Sequence, residues 1–502
     1  MITPFQIATF FIYSIAVVLA IYFSTSIAEN STTAFVDILA VMGSIAWILF
    51  GSRIWWLPLF LGIGFGGVFW VGFKVYPQEV GLALALVTVV PALILQRFRL
   101  RPRQKLPQVF SILFAYLAIE CLYSCIRFGD GAQGRGGIFR VYFFALWPFL
   151  FIAGFSFYSF SQHIRWGLYA LQRGYLARIS MDLASLAMPG FLYLPGINFI
   201  LPASVGGLED LRGPGLGLAI ISLALLFSKR GIFLSRRTII FPVIQVIRLL
   251  EALAALLFGG SRFSLIAGFL AIGFALIYSR RWIVITLFLI LGGSVVGWIN
   301  MYPQSLEKLP VLAERAASIL ILKDNTITIQ EQLQGSNLWH QRLREVGFQR
   351  WTENPVSLFF GTGVHAFDPT IAQGAPSGDE LFERALDNAA NVGAFENGLF
   401  TVLSLTGLVG FALYAILFFQ LIRRIFSLRA IADQDDFGRT LTFYAICQGV
   451  IWVISCYFAG SWPSFELMIL GITAVYLQER ADEQEASSPS RDVIPFHELT
   501  KS

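Results

Sequence analysis

Of 502 residues, 56% are hydrophobic, 15% aromatic and only 13% charged, where an ordinary soluble domain carries about 25% charge. A soluble chain of this length would divide into about three domains, each needing a polar skin, and 36 basic plus 31 acidic residues cannot supply one. The composition excludes a soluble enzyme, a disordered chain and a disulfide scaffold, and its net charge of +5 is modest; what remains is an all-α, polytopic membrane protein.

A bilayer core asks for about 20 apolar residues per helix. In chain order, the candidate spans are 4–26, 34–52, 54–73, 80–96, 107–126 and 139–159. A more polar candidate, 166–187, follows. Then come 215–228, 238–258, 263–279, 282–301, 397–421, 440–458 and 464–479. The expectation is about 12–14 transmembrane helices around one large loop. The first span has no basic residues ahead of it and a long apolar run, as a retained anchor does rather than a cleaved signal. The chain divides into an N-terminal bundle (1–165), central helices (166–300), the large loop (301–396), C-terminal helices (397–479) and a polar tail (480–502), expected to be disordered. Cys121, Cys125, Cys447 and Cys456 lie in apolar runs without metal-site spacing and count as small core side chains.

Basic residues set orientation. Arg97, Arg99, Arg101, Arg103 and Lys105 crowd one loop, and Lys229, Arg230, Arg236 and Arg237 a second. Arg280 and Arg281 form a third group, and Arg423, Arg424, Arg429 and Arg439 a fourth. Even numbers of spans separate them, so all four fall on one side, the cytoplasm, together with both termini. The opposite face receives the glycine-rich stretch 127–137, the proline-containing stretch 188–215 and the loop 301–396, which opens on an amphipathic helix near 306–322.

Four polar sites fall on that outer face. They are Arg212-Gly213-Pro214; Ser261-Arg262 in a tight turn; Trp339-His340-Gln341-Arg342-Leu343-Arg344 followed by Asn354-Pro355 and Gly361-Thr362-Gly363; and Glu396-Asn397 opening a span that carries Gly407-Leu408-Val409-Gly410. Cytoplasmic arginines report topology. Arginines kept in short outer loops need another reason, and the guanidinium fork suits phosphate. Scattered anchors and ion pairs are the plainer alternative. Glu396 is either an acid complementing a helix N-terminus or a general base whose pKa partial burial would raise. Asn397 either caps the helix or orients a substrate. Within spans, Asp37, Glu120, Asp182, Glu251 and Glu466 are ionisable; Glu251 has Arg248 one turn away, while Glu120 and Glu466 show no local partner. No paired-histidine metal motif and no Walker A motif occur.

The order and spacing of these sites over roughly 200–480 resemble the O-antigen ligase and O-antigen/exopolysaccharide polymerase superfamily. The resemblance rests on Arg212-Gly213-Pro214 before a span and on Ser261-Arg262 at the next outer turn. It continues with Arg342 about 19 residues before Gly361-Thr362-Gly363, and with Asn397 before Gly407-Leu408-Val409-Gly410. Where the ligases carry histidine before that asparagine, this chain has Glu396, which favours a polymerase-like member.

The resemblance implies a GT-C-like membrane fold and a metal-independent, cofactor-free, inverting glycosyl transfer at the periplasmic face of a bacterial inner membrane. Polyprenyl-pyrophosphate-linked glycans would be the substrates, polymerised into O-antigen or exopolysaccharide. Membrane lipids, a chain-length regulator and a flippase would be its partners, with no nucleic acid. It implies Glu396 as the base, with Arg262 and Arg342 acting on the leaving pyrophosphate. Arg212, Arg262, Arg342, Arg344 and Asn397 would bind substrate. The aromatics Trp339, Phe348, Trp351 and Phe367 either stack on sugars or pack the loop. Transfer to a lipid A-core or other acceptor is the nearest alternative. A lipid-linked glycan transporter is the second, and it predicts repeated halves and broken helices, neither of which the sequence suggests.

Overall fold

A computed structural model describes residues 56–66, 69–70, 74–75, 79–84, 106–129, 131–158, 161–187, 211–228, 236–302, 330–365, 379–457 and 462–487, with isolated positions 304, 314, 317 and 320. The spans expected at 4–26 and 34–52, most of 80–96 and of 306–322, and Phe367 lie outside these residues. In chain order the elements are α1 (Leu57–Phe65), β1 (Phe69–Trp70), β2 (Lys74–Val75), α2 (Gln108–Phe128), α3 (Gly131–Tyr158), α4 (Ser161–Ala187), α5 (Arg212–Ser228), α6 (Arg236–Phe258), α7 (Arg262–Tyr278) and α8 (Trp282–Met301). They continue with α9 (Gln330–Thr352), α10 (Pro355–Phe360), α11 (Asp379–Asn391), α12 (Gly398–Ser427), α13 (Arg429–Ala432), α14 (Asp436–Ser455) and α15 (Ser464–Ser487). Among the described residues, six helices are long and apolar enough to cross a membrane, and α5 and α7 are shorter apolar helices. This is the architecture of a multi-pass membrane protein.

The chain forms two compact units, 1–101 with 160–207, and 102–159 with 208–502. In the first, α1 packs on α4 through small residues: a Cβ on Gly64 would lie 2.5 Å from the Leu171 carbonyl oxygen, and one on Gly174 would lie 3.0 Å from Gly64. Lipid tails give helices no hydrophobic reason to associate, so close backbone approach supplies the attraction instead. Arg178 and Asp182 of α4 pair at 2.7 Å, both buried, which accounts for the intramembrane acid. The span expected at 54–73 is not one helix. α1 stops at Gly66, whose φ is +62°, and β1 then pairs antiparallel with β2.

The second unit is a helical bundle. α5 and α6 pack through Gly215, which faces Ala252, Ala255 and Leu256. α14 runs between α7 and α15, and Cys447 meets the Ala271 carbonyl across the first of these contacts at 3.5 Å. α15 leans on α3, where Ser464 donates to the Phe144 carbonyl. α8 buries only Ile299, so its apolar sides face lipid.

Several expectations are corrected here. The stretch 127–137 is mostly helical, because α3 begins at Gly131 and Arg135 reaches back to the Gly129 carbonyl at 3.0 Å. The tail begins as helix, since α15 runs to Ser487, held by Arg480–Glu483 and Gln478–Asp482 contacts of 2.9 and 2.7 Å. Glu120 has a local partner one turn away, the Tyr116 hydroxyl.

α12 is a broken helix. Gly407 adopts φ +62° and ψ −168° inside it, which frees carbonyls of the preceding turn. The segment after α9 fills the break. Thr362 donates its backbone N–H and its hydroxyl to the Ser404 carbonyl at 2.7 and 3.1 Å, and Tyr116 of α2 donates to the Thr406 carbonyl at 2.7 Å. The fit is backbone against backbone. A Cβ on Gly361 would sit 2.4 Å from the Leu405 carbonyl carbon, and one on Gly407 would sit 2.3 Å from that of Phe359. Thus Gly361-Thr362-Gly363 and Gly407-Leu408-Val409-Gly410 are two halves of one joint that anchors the large loop to the bundle.

Candidate active site

The described part of the large loop is helical, and its periodicity builds the site. On α9, Leu343 and Trp339 are buried against Ala385, Leu386 and Ala389 of α11. Gly347 lies against Phe395 and Phe400, with 3.0 Å left for a Cβ at the nearest approach, so the backbone of α9 comes close to the start of α12. His340 precedes Gly347 by about two turns and shares that face. It therefore lies over the residue after Phe395, which is Glu396.

The link between α11 and α12 is tightly fixed. Ala394 N–H closes on the Ala389 carbonyl at 2.8 Å, and Gly393 takes φ +70°, a left-handed helix end. Phe395 is fully buried. Asn397 caps α12, accepting the Phe400 N–H at 3.1 Å and donating to the Tyr457 carbonyl at 2.6 Å. Between these anchors Glu396 is forced to φ +50°, a left-handed conformation that costs a non-glycine residue about 1–2 kcal/mol. Such strain persists only where surrounding structure imposes it, and it gathers at functional sites.

Nδ1 of His340 donates to Oε2 of Glu396 at 2.9 Å, and the two side chains remain 37% and 45% exposed. Burial pushes the Glu396 carboxyl up, but the hydrogen bond and charge of His340, with the Trp339 indole and then the Arg212 guanidinium behind them, outweigh it and hold the carboxyl below the usual range. This corrects the expectation of a raised pKa. The cause is a partner from α9 that the local sequence around Glu396 does not contain.

Arg212 opens α5, and its side chain is exposed. A Cβ on Gly259 would lie 2.8 Å from the Arg212 backbone nitrogen, so the Gly259-Gly260-Ser261-Arg262 turn is seated against it. Ser261 is the N-cap of α7 and accepts the Ser264 N–H at 3.2 Å, which leaves half-buried Arg262 as the first helical residue. The N-termini of α5, α7 and α12 therefore open at one end of the bundle, near Arg212, Arg262 and Glu396. Helix N-termini carry partial positive charge and unpaired N–H groups, so this end suits an anion.

The remaining candidates separate. Arg344, one turn after His340, donates to the His340 carbonyl at 3.1 Å and is exposed on the same face. Arg342 lies on the other side of α9 and pairs with Glu345 at 3.3 Å and Glu383 of α11 at 3.2 Å. Trp339 is core, edge-on to Phe382 at 5.4 Å. Phe348 is 52% exposed and meets Trp351 at 6.0 Å, which leaves it more accessible than Trp339 and Trp351. Among the described residues no group of three His, Cys, Asp or Glu side chains is placed to hold a metal. The structure thus gathers His340, Arg344, Glu396, Asn397, Arg212 and the Arg262 turn at one end, and it commits Arg342 to the α9–α11 contact. No family model matches the chain, and no curated protein matches it.

Proposed function

We propose that the protein is a membrane glycosyltransferase that polymerises polyprenyl-pyrophosphate-linked oligosaccharides into a surface polysaccharide, at the periplasmic face of a bacterial inner membrane. The observation that carries this reading is the His340–Glu396 pair, held by a strained backbone beside Arg212. A carboxylate on Nδ1 orients an imidazole and stabilises its protonated form, leaving Nε2 as the proton acceptor. In this assignment His340 is the base and Glu396 its orienting partner, in place of Glu396 alone.

The acceptor hydroxyl attacks the anomeric carbon of the donor sugar from the face opposite the pyrophosphate. Its proton passes to Nε2 of His340. The bond from the anomeric carbon to the phosphate oxygen breaks with its electron pair, and the configuration inverts. The lipid pyrophosphate departs as an anion toward Arg212, Arg262 and the three helix N-termini. Positive charge set in place before the bond breaks favours the developing anion without reorganisation. Arg344 and exposed Phe348 flank the approach and suit the glycan.

The test is to give the purified protein a polyprenyl-pyrophosphate oligosaccharide alone. A ladder of products that disappears in His340→Ala supports the polymerase. Reaction only after a second acceptor is supplied identifies a ligase on the same site. A fully active His340→Ala overturns the base assignment, and a fully active Glu396→Gln overturns the orienting role of Glu396. The broken helix α12 does not favour a transporter, because backbone from 359–362 fills the break.

A further inference from the structure

The opposite end of the second unit carries a cavity of about 690 Å³, lined by residues from α5, the α7–α8 turn, the end of α12, α13 and α14. Four arginines line it, Arg280, Arg281, Arg429 and Arg439, with Asp433 as the one acid. Arginines that only report topology need no more than a place near helix ends. These four surround a shared space. Partners fix Arg429 and Arg439 in place. Arg429 donates to the Tyr278 carbonyl at 2.6 Å and stacks on the Tyr278 ring at 4.4 Å, and Arg439 pairs with Asp436. Arg280 and Arg281 project from a turn in which Arg280 has φ +53°.

The second observation is independent of charge. The Tyr278 hydroxyl, the Thr442 hydroxyl and Nε of Arg439 are buried and have no hydrogen-bond partner among the described residues, and all three belong to residues that line this cavity. A buried donor without a partner is costly, and each such group in a native protein calls for an explanation. Two hydroxyls and several guanidinium N–H groups make a donor set for one acceptor-rich anion, and guanidinium forks match phosphate oxygens in pairs.

We infer that this cavity binds a phosphate ester, either the headgroup of an anionic phospholipid or a soluble phosphate compound. The assignment does not depend on the transfer reaction at the other end.

The test uses the full chain purified in neutral detergent and followed by native mass spectrometry. It is offered phosphatidylglycerol, phosphatidylcholine with the same acyl chains, and inorganic phosphate. Two variants accompany it. Arg280→Gln with Arg281→Gln removes charge from an exposed turn, and Thr442→Val removes one hydroxyl while keeping the shape. Phosphatidylglycerol retained over phosphatidylcholine by about tenfold or more, and lost in the double variant, assigns the site to an anionic lipid. No preference between the lipids, with inorganic phosphate bound and released in the double variant, assigns it to a soluble phosphate ester. Thr442→Val should weaken either anion several-fold while leaving the thermal stability of the empty protein unchanged or higher, which a merely structural hydroxyl would not do. Equal retention of both lipids together with no arginine-dependent phosphate binding overturns the inference.

Discussion

The two ends of the second unit both gather arginines, yet they do so differently. At one end Arg212 and Arg262 are the first residues of α5 and α7, and they stand with a strained Glu396 and the His340 that pairs with it. At the other, Arg280, Arg281, Arg429 and Arg439 line a cavity with three unpartnered polar atoms and no histidine. The first end has a group that can accept a proton. The second is dominated by donors, with Asp433 its one acid. In the roles proposed for them, the base rather than the charge separates the two ends.

The sharpest way to break this contrast is to remove the base. His340→Ala should lower glycan transfer by about 10²–10⁴-fold, the usual range for a lost general base, with the protein still inserted and folded. Arg212→Ala or Arg262→Ala should cost about 10²–10³-fold in kcat, as loss of one preorganised donor to a developing anion does. The paired variant Arg280→Gln, Arg281→Gln should leave transfer unchanged. A collapse of transfer in that variant would join the two ends into one functional unit and end the distinction.

Gly407→Ala forces a side chain into φ +62° and places a Cβ 2.3 Å from the Phe359 carbonyl carbon. It should destabilise the protein by about 2–4 kcal/mol, measured as a lowered Tm in detergent, and should loosen the loop that carries His340. Gly297→Ala, on α8 with nothing within 4 Å of the added Cβ, should leave the Tm in place.

How much of this the sequence contained depends on the kind of signal. The membrane helices were legible because each is a long apolar run, and α2, α6, α8 and α12 fall within a few residues of their expected places. Gly361-Thr362-Gly363 and Gly407-Leu408-Val409-Gly410 were legible as motifs but not as partners, because backbone contact between distant segments leaves no side-chain pattern. His340 was visible only as an isolated histidine. Its signal was helical: His340, Leu343 and Gly347 share a face, and Gly347 is the small residue that lets α9 approach Phe395. Reading 301–396 as a loop discarded that periodicity, and with it the means to place Arg344 with His340 and Arg342 elsewhere. The end of α1 was missed because hydropathy does not register the turn at Gly66.

The carboxyl of Glu396 supplies a finer test. A group whose pKa is depressed on folding contributes its charged-state interactions at all pH values above its ordinary value and loses them as pH falls through the lowered one. The carboxylate band of Glu396, isolated by infrared difference against Glu396→Gln, should accordingly persist below the ordinary value of 4.5. Without His340, burial is opposed only by the Trp339 indole and the Arg212 guanidinium, so His340→Ala should move that titration upward. An unmoved titration would mean that Trp339 and Arg212, rather than the histidine, hold the charge, and would shift the orienting role away from the pair.

The smallest expected effect tests the separation of the arginines on α9. The resemblance assigns Arg342 to the leaving pyrophosphate, whereas its guanidinium is exposed and paired with Glu345 and Glu383. Exposed pairs of this kind contribute little, because water screens them and two long side chains must be ordered to form them. Arg342→Ala should then change kcat/KM by less than about fivefold, whereas Arg344→Ala, on the His340 face, should raise KM for the glycan more than it lowers kcat. The reverse order would show that the Glu383 pairing is a resting arrangement that opens when pyrophosphate arrives. Arg342→Ala combined with Glu383→Ala decides between these. If Glu383 only ties down Arg342 on the outside of α9, the double variant behaves like Arg342→Ala. If Glu383 restrains an arginine needed for the reaction, Glu383→Ala alone raises activity and the double variant loses it.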